Sequence, residues 1–253
     1  MAANKVFPVT TITLRAYDLG ESDKILVLFS REKGVLRAVA KGIKKTTCKF
    51  GGRLDSLNVN ELLLREGRNL NTISQCETIK IFPHLRLDYD KLIYSLFLGE
   101  LVLLLTNEEE PVEEVFDLLI YTLETMQFTH NPLMHTIWFE MHLLTILGYK
   151  ANLTSCDICQ EEVPSRNEKL GFSLNTGSLI CQNCLRSTSS YRIISDELRN
   201  TLKKLKTSGL EGISDFVPSE KILLKIQETL KEYLNNLSER KIKTLSVLEA
   251  SIY

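Results

Sequence analysis

Thr11 to Gly42 reads TITLRAYDLGESDKILVLFSREKGVLRAVAKG, and the fold is decided by how this stretch is parsed. Thr11–Leu14, Lys24–Phe29 and Val35–Ala40 are short runs rich in β-forming residues, several of them alternating polar with apolar, and Gly20, Gly34 and Gly42 punctuate them. Period-two runs bounded by turn residues predict half-buried strands. Leu57–Leu62 and Thr72–Cys76 continue the pattern, with Gly51, Gly52 and Gly67 in the gaps. About five short strands in roughly 70 residues predict a small closed barrel of the OB-fold kind, because closure removes the exposed edges of so small a sheet.

Downstream of Pro83 the apolar spacing changes to a helical period. Leu87 to Leu105 is apolar on nearly all sides, which predicts a central, buried helix. Pro111 in a first helical turn, followed by Glu113, Glu114 and Asp117 at the positive end of the dipole, predicts a second helix. Its core stripe is Val112, Val115, Phe116, Leu119, Leu123 and Met126. Asn131 as N-cap and Pro132 predict a third, with Met134, Ile137, Trp138, Met141 and Leu144 on one face and a stop near Gly148. These three predict a bundle with an acidic exterior. Helices resume at Asp196–Lys206, at Glu220–Leu237 with the stripe Ile222, Leu223, Ile226, Leu230, Tyr233, Leu234 and Leu237, and in a last segment from Arg240. The expected class is therefore α+β: an OB-fold-like barrel over 1–80, an α-helical domain from 81–151 and 191–253, and an inserted zinc-ribbon-like module at 152–190.

That insert carries Cys156-x-x-Cys159 and Cys181-x-x-Cys184, with 21 residues between the pairs. Each CxxC presents two thiolates from one turn, and two such turns close a tetrahedron around zinc. Gly171–Ile180 reads as a hairpin turning at Asn175-Thr176-Gly177, which brings the second turn back to the first. Four thiolates leave no open position for water, so the zinc is expected to be structural rather than catalytic. Four unligated buried thiols are the bland alternative. Cys48 and Cys76 lie singly and read as small buried residues.

The net charge of −1 conceals an asymmetry. Residues 1–80 hold 14 Lys+Arg against 8 Asp+Glu, residues 81–150 hold 3 against 11, and residues 151–253 hold 14 against 13. Lys24, Arg31, Lys33, Arg37, Lys41, Lys44, Lys45, Lys49 and Arg53 face a single acid in that interval, Glu32. Cations this dense on a small barrel predict a surface that binds phosphate backbones through counterion release. Phe50, beside Gly51 and Gly52, is a candidate base-stacking ring, although a phenylalanine next to strands is more often core. The other reading of a charge run is a solvated face.

Met1–Leu14 lacks the order of a secretory signal, and the most apolar stretch, Leu92–Thr106, is broken by Gly99 and Glu100. A soluble, cytoplasmic and nucleoid-associated chain with reduced cysteines is expected. No phosphate-binding GxxxxGK[ST] loop and no His-x-Glu occurs. His84, His130, His135 and His142 read as packing or surface residues, and Glu108–Glu110 as a solvated helix start. Nothing assembles an active site.

Tyr17-Asp18-Leu19-Gly20-Glu21-Ser22-Asp23-Lys24-Ile25, then Leu28-Phe29-Ser30-Arg31-Glu32-Lys33-Gly34, Ala38-Val39-Ala40-Lys41-Gly42, Lys44-Lys45 and Phe50-Gly51-Gly52, resembles the N-terminal signature of the bacterial RecO recombination mediators. Tyr233-Leu234, Arg240 and Lys243-Thr244-Leu245 resemble the family's tail. The resemblance implies a non-enzymatic mediator that binds single- and double-stranded DNA and anneals complementary strands. It also implies work with RecR to load RecA onto DNA coated by single-strand-binding protein. By position it assigns DNA contact to the nine cations named above and structural Zn2+ to Cys156, Cys159, Cys181 and Cys184. Lys49 stands where the family often has arginine, which keeps the charge but loses the planar fork. Lys221, Lys225 and Arg240 are the candidate rim of a pocket for the tail of single-strand-binding protein. Two other classes remain open: a zinc-ribbon adaptor whose acidic helices dock a protein without direct DNA binding, and a zinc-dependent nuclease or hydrolase.

Overall fold

A computed structural model describes residues 5–149, 151–164, 169–213, 216–238 and 244. The chain forms two compact units, Met1–Phe128 with Thr244–Tyr253, and Thr129–Lys243. None of the described helices is long and apolar enough to cross a membrane.

In the first unit β1 (Val6–Leu19), β2 (Asp23–Ser30), β3 (Gly34–Ala40), β4 (Val59–Arg65) and β5 (Asn71–Lys80) close a barrel in the order β1-β2-β3-β5-β4. The barrel expected from the alternation is present, and its architecture is OB-like. β1 makes closure possible by being long enough to pair twice, with β4 through Val6–Ile12 and with β2 through Thr11–Leu19. A bulge between Thr13 and Arg15 lies between the Leu28 and Val27 partners and bends the strand. β3 meets β5 in parallel at Ala38–Val39. Val9, Leu26, Leu28, Leu36, Ala38, Ala40, Leu62, Leu64 and Ile73 fill the interior, joined by Phe50 and Leu54 from a 3-10 turn at Gly51–Leu54.

The limits of three strands differ from expectation. The fourth strand starts at Val59 rather than Leu57, because Leu57 has φ of 69° and cannot continue an extended ladder. β1 and β5 run longer than Thr11–Leu14 and Thr72–Cys76, since edge-to-edge pairing around the barrel recruits polar residues that carry no periodic signal.

Helix α1 (Tyr89–Leu105) opens on Asp88, whose side chain accepts from the Lys91 N–H. Its Gly99 lies on the barrel: an added Cβ would stand 3.1 Å from the Leu14 side chain, a close approach that a larger residue would have to push aside. Helix α2 (Glu113–Met126) buries Val115, Phe116, Leu119, Leu123 and Met126, and Phe116 meets Phe29 of β2 at 5.9 Å between ring centroids. Pro111 precedes the extended cap residue Val112 and so lies before the helix, not in its first turn as expected.

The second unit holds α3 (Pro132–Ile146), β6 (Leu170–Ser173), β7 (Leu179–Ile180), β8 (Tyr191–Ile194), α4 (Asp196–Thr207) and α5 (Glu220–Leu237). Asn131 caps α3 by accepting from the Met134 N–H. The stripe expected on α3 is buried, but so are Leu133, Phe139, Glu140 and Leu143 on its other sides. α3 packs with α4 and α5 in this unit, while α1 and α2 belong to the barrel unit. The last segment predicted from Arg240 lies, except for Thr244, outside the described residues.

Candidate functional site

The nine barrel cations fall into three sets. Lys24, Lys41, Lys44 and Lys45 gather at one end, where the segment after β3 is pinned to the β1–β2 turn. The Gly42 N–H donates to Asp23 Oδ1 at 2.8 Å and the Lys44 N–H to the Ser22 carbonyl at 3.0 Å. These pins determine which charges are left. The Gly42 N–H foremost, then the Ser22 hydroxyl, and further the Lys41 and Lys45 charges, hold the Asp23 carboxyl below the usual carboxylate range. Lys44 is engaged, with Nζ 3.0 Å from Asp18 Oδ1 and donating to the Gly20 carbonyl at 3.3 Å. Among the described residues no carboxylate oxygen lies within 4.0 Å of the Lys24, Lys41 or Lys45 ammonium.

The second set runs beside β5. Lys49 Nζ donates to the Ser74 carbonyl at 2.6 Å and Arg53 Nη1 to the Cys76 carbonyl at 3.3 Å, so each charge is positioned by backbone and keeps free donors. In the third set Arg31 and Arg37 are turned toward the helical part of their own unit and Lys33 toward β1. Arg31 pairs with Asp117 of α2 and lies 5.7 Å above the Phe116 ring, and Arg37 reaches Glu108 at 2.7 Å. Lys33 sits 5.2 Å over the Phe7 ring. The run expected to form one surface is thus split, with Arg31 and Arg37 partly neutralised by carboxylates that follow α1.

Phe50 is 3% exposed and plugs the barrel interior, so it offers no face to a base. The exposed ring of the barrel strands is Tyr17, whose position was invisible in sequence because the bulge at Leu14 reverses which side of β1 faces out.

In the second unit the predicted hairpin forms. β6 and β7 pair antiparallel through Gly171↔Ile180 and Phe172↔Leu179, and Gly177 turns the chain at φ of 70°. β8 adds a third strand, in the order β7-β6-β8, from Tyr191, Ile193 and Ile194, β-forming residues in a run too short to stand out beside the helix that follows. Gly177 also abuts Tyr233 of α5, 2.8 Å from where a Cβ would sit. The hairpin returns Cys181 to Cys156, whose Sγ accepts from the Cys181 N–H at 3.3 Å. Gln160 takes φ of 64° to close the first turn, donating its N–H to the Cys156 carbonyl at 2.9 Å.

The four sulfurs lie within 4.8 Å of one another, with Cys159 and Cys181 3.8 Å apart. Sulfurs about 2.3 Å from a central ion at tetrahedral angles stand roughly 3.8 Å apart, so the group is placed to hold a metal ion. Against burial, which raises it, the N–H groups of Cys181, Cys159 and Ile158 bring the Cys156 thiol down to about 7. Hydrogen bonding to Cys181, then burial, pushes the Cys184 thiol up to about 12. Held as thiolates, four sulfurs this close would repel one another unless a cation stood between them, and the group is one that could hold a metal ion. Among the described residues no other group of histidine, cysteine or carboxylate side chains is so placed. His84 packs on Phe128, His135 meets Thr129 Oγ1 at 3.0 Å, and His142 stacks on Trp138.

Comparison with known proteins covers nearly the whole chain. The family model described as recombination protein O N terminal matches residues 7–82, and the one described as recombination protein O C terminal matches residues 86–246. The DNA repair protein RecO of Pelotomaculum thermopropionicum is 33% identical over 97% of this chain and 94% of its own length. That of Desulforamulus reducens is 30% identical over 97% and 94%, and that of Synechococcus sp. (strain JA-3-3Ab) 31% over 98% and 85%. The two models meet between β5 and α1, where the barrel gives way to helix. A barrel, a helical part and a four-cysteine cluster in this order, matched end to end, place the chain in the RecO family of DNA repair proteins.

Proposed function

We propose that the chain is a non-enzymatic recombination mediator. It holds single- and double-stranded DNA by their phosphates, anneals complementary strands, and acts with RecR to load RecA onto DNA covered by single-strand-binding protein. The observation that carries this reading is the end of the barrel where Lys24, Lys41 and Lys45 stand without a carboxylate partner among the described residues, around a segment pinned by Asp23. Ammonium groups fixed to a rigid turn neutralise phosphates without reading bases, and strands held that way keep their base edges free to pair. Residues 1–80 act as the DNA-binding domain, 81–151 with 191–253 as the helical body, and 152–190 as the zinc module.

Zn2+ is the ion that four cysteines at this spacing suit, and it would supply cross-linking of the two CxxC turns rather than chemistry, because all four positions are filled by sulfur. Cys156, Cys159, Cys181 and Cys184 would hold it.

The test is annealing of complementary oligonucleotides followed by strand-pairing fluorescence, without ATP. Wild type should anneal, and Lys41→Ala with Lys45→Ala should slow it several-fold, while Arg31→Ala with Arg37→Ala should not. Wild-type annealing by the Lys41/Lys45 variant contradicts the assignment. Failure of the wild type to bind DNA favours the protein-docking adaptor.

A further inference from the structure

The outer face of the barrel carries an apolar row. The register sets Tyr17 of β1 beside Ile25 of β2, and Ile25 beside Val39 of β3. Cross-strand partners share a face, and Leu26, Leu28, Leu36, Ala38 and Ala40 occupy the interior, so this row points outward. Tyr17 is 50% exposed, and Leu19, two residues on, is exposed as well. At the far end of the same face Phe29 and Val35 are buried, with Phe116 on Phe29, so among the described residues the helical cover stops short of the row.

Charge flanks the row on both sides. The neighbouring row is Arg15, Val27 and Arg37. Arg15 Nη2 is held by Glu100 at 2.9 Å while Nη1 donates to the Tyr17 hydroxyl at 3.4 Å, which steadies the ring. On the other side the strands end at Asp23 and at the segment bearing Lys41 and Lys45.

We infer that Tyr17, backed by Ile25 and Val39, is a stacking platform for the bases of single-stranded DNA, so that this face discriminates single strand from duplex. The inference rests on the DNA-binding reading above and deepens it. A ring on the sheet face of an OB-like barrel between cations meets a single strand in the way such folds bind it, with phosphates on charge and bases on π-surface. Bases in a duplex are already stacked on one another and offer no free face. The other rings of the five strands and their connections do not compete: Phe29 and Phe50 are buried, and Phe7 is half-buried beneath Lys33.

The experiment compares three labelled ligands of equal length: oligothymidylate, the same backbone without bases, and a duplex. Tyr17→Ala should weaken oligothymidylate binding about 5- to 150-fold, the range expected for one lost stacking contact. It should leave the base-free backbone and the duplex unchanged, and Tyr17→Phe should retain binding. Tyr17→Trp should show emission quenched by oligothymidylate beyond any change from the native Trp138. Because Tyr17 is at the surface, thermal unfolding should be unaffected. Salt-dependent binding that Tyr17→Ala leaves intact for oligothymidylate overturns the platform and leaves the proposed function standing. Absence of salt-dependent binding by the wild type to all three ligands overturns both.

Discussion

The cysteine module and the basic barrel end both gather like side chains around turns, yet they differ in what determines them. Cys156, Cys159, Cys181 and Cys184 converge because two CxxC turns and one hairpin leave the sulfurs nowhere else to go; their partners are one another. The barrel cations have no such internal closure. Whether each is available is decided by carboxylates supplied from elsewhere in the unit: Glu108 and Asp117 draw off Arg37 and Arg31, Asp18 engages Lys44, and Asp23 is spent on the Gly42 N–H beside Lys41 and Lys45. A constellation that satisfies itself is fixed by spacing, whereas a charged surface is fixed by what the rest of the fold leaves unpaired.

The largest expected effect breaks the self-satisfied side. Chelation, or Cys181→Ser, should remove one zinc per chain and unfold the module, since metal-coupled folding of such sites is worth on the order of 10 kcal/mol. Zinc analysis with circular dichroism reads it, and loss of metal with an unchanged melting curve contradicts the structural role. Gly177→Ala tests the hairpin that closes the site. The strained φ and the Tyr233 ring together should destabilise by about 1–3 kcal/mol, read by denaturant unfolding.

Charge inside the second unit offers an independent handle. Burial raises the Glu140 carboxyl to about 8, and its Oε2 has no hydrogen-bond partner among the described residues. The folded state therefore holds this proton where the unfolded chain releases it, so stability falls as pH rises from the ordinary carboxylate range toward 8. Glu140→Gln should flatten that decline, and an unchanged pH profile contradicts it. At the small end, Arg37→Ala removes an exposed ion pair worth less than about 1 kcal/mol and should leave DNA affinity nearly unchanged. A large loss of affinity would return Arg37 to the DNA-contacting set.

The same contrast explains what was legible in the sequence. The five strands, the helix cap at Asn131 and the four-cysteine group follow from local spacing and capping chemistry. The bulge at Leu14 belongs to the pairing of β1 around the barrel instead, and by reversing the facing of β1 it keeps the exposure of Tyr17 out of the local sequence pattern. Phe50 was ambiguous because a phenylalanine between a basic run and two glycines fits a surface as well as a plug; only the barrel interior decides. Glu108 and Asp117 lie 71 and 86 residues from the arginines they engage, beyond the reach of any local pattern. Glu140 sits among apolar residues on a face of α3 that periodicity assigns to solvent.

The most direct test of the central claim is the dependence of single-strand affinity on salt, measured by fluorescence anisotropy. Four phosphate contacts should give a slope of log K against log salt of about −3, and Lys41→Ala with Lys45→Ala should reduce its magnitude by roughly 1.4, the share of two contacts. A wild-type slope near zero, or one that the double variant leaves untouched, contradicts the assignment of phosphate binding to this end of the barrel.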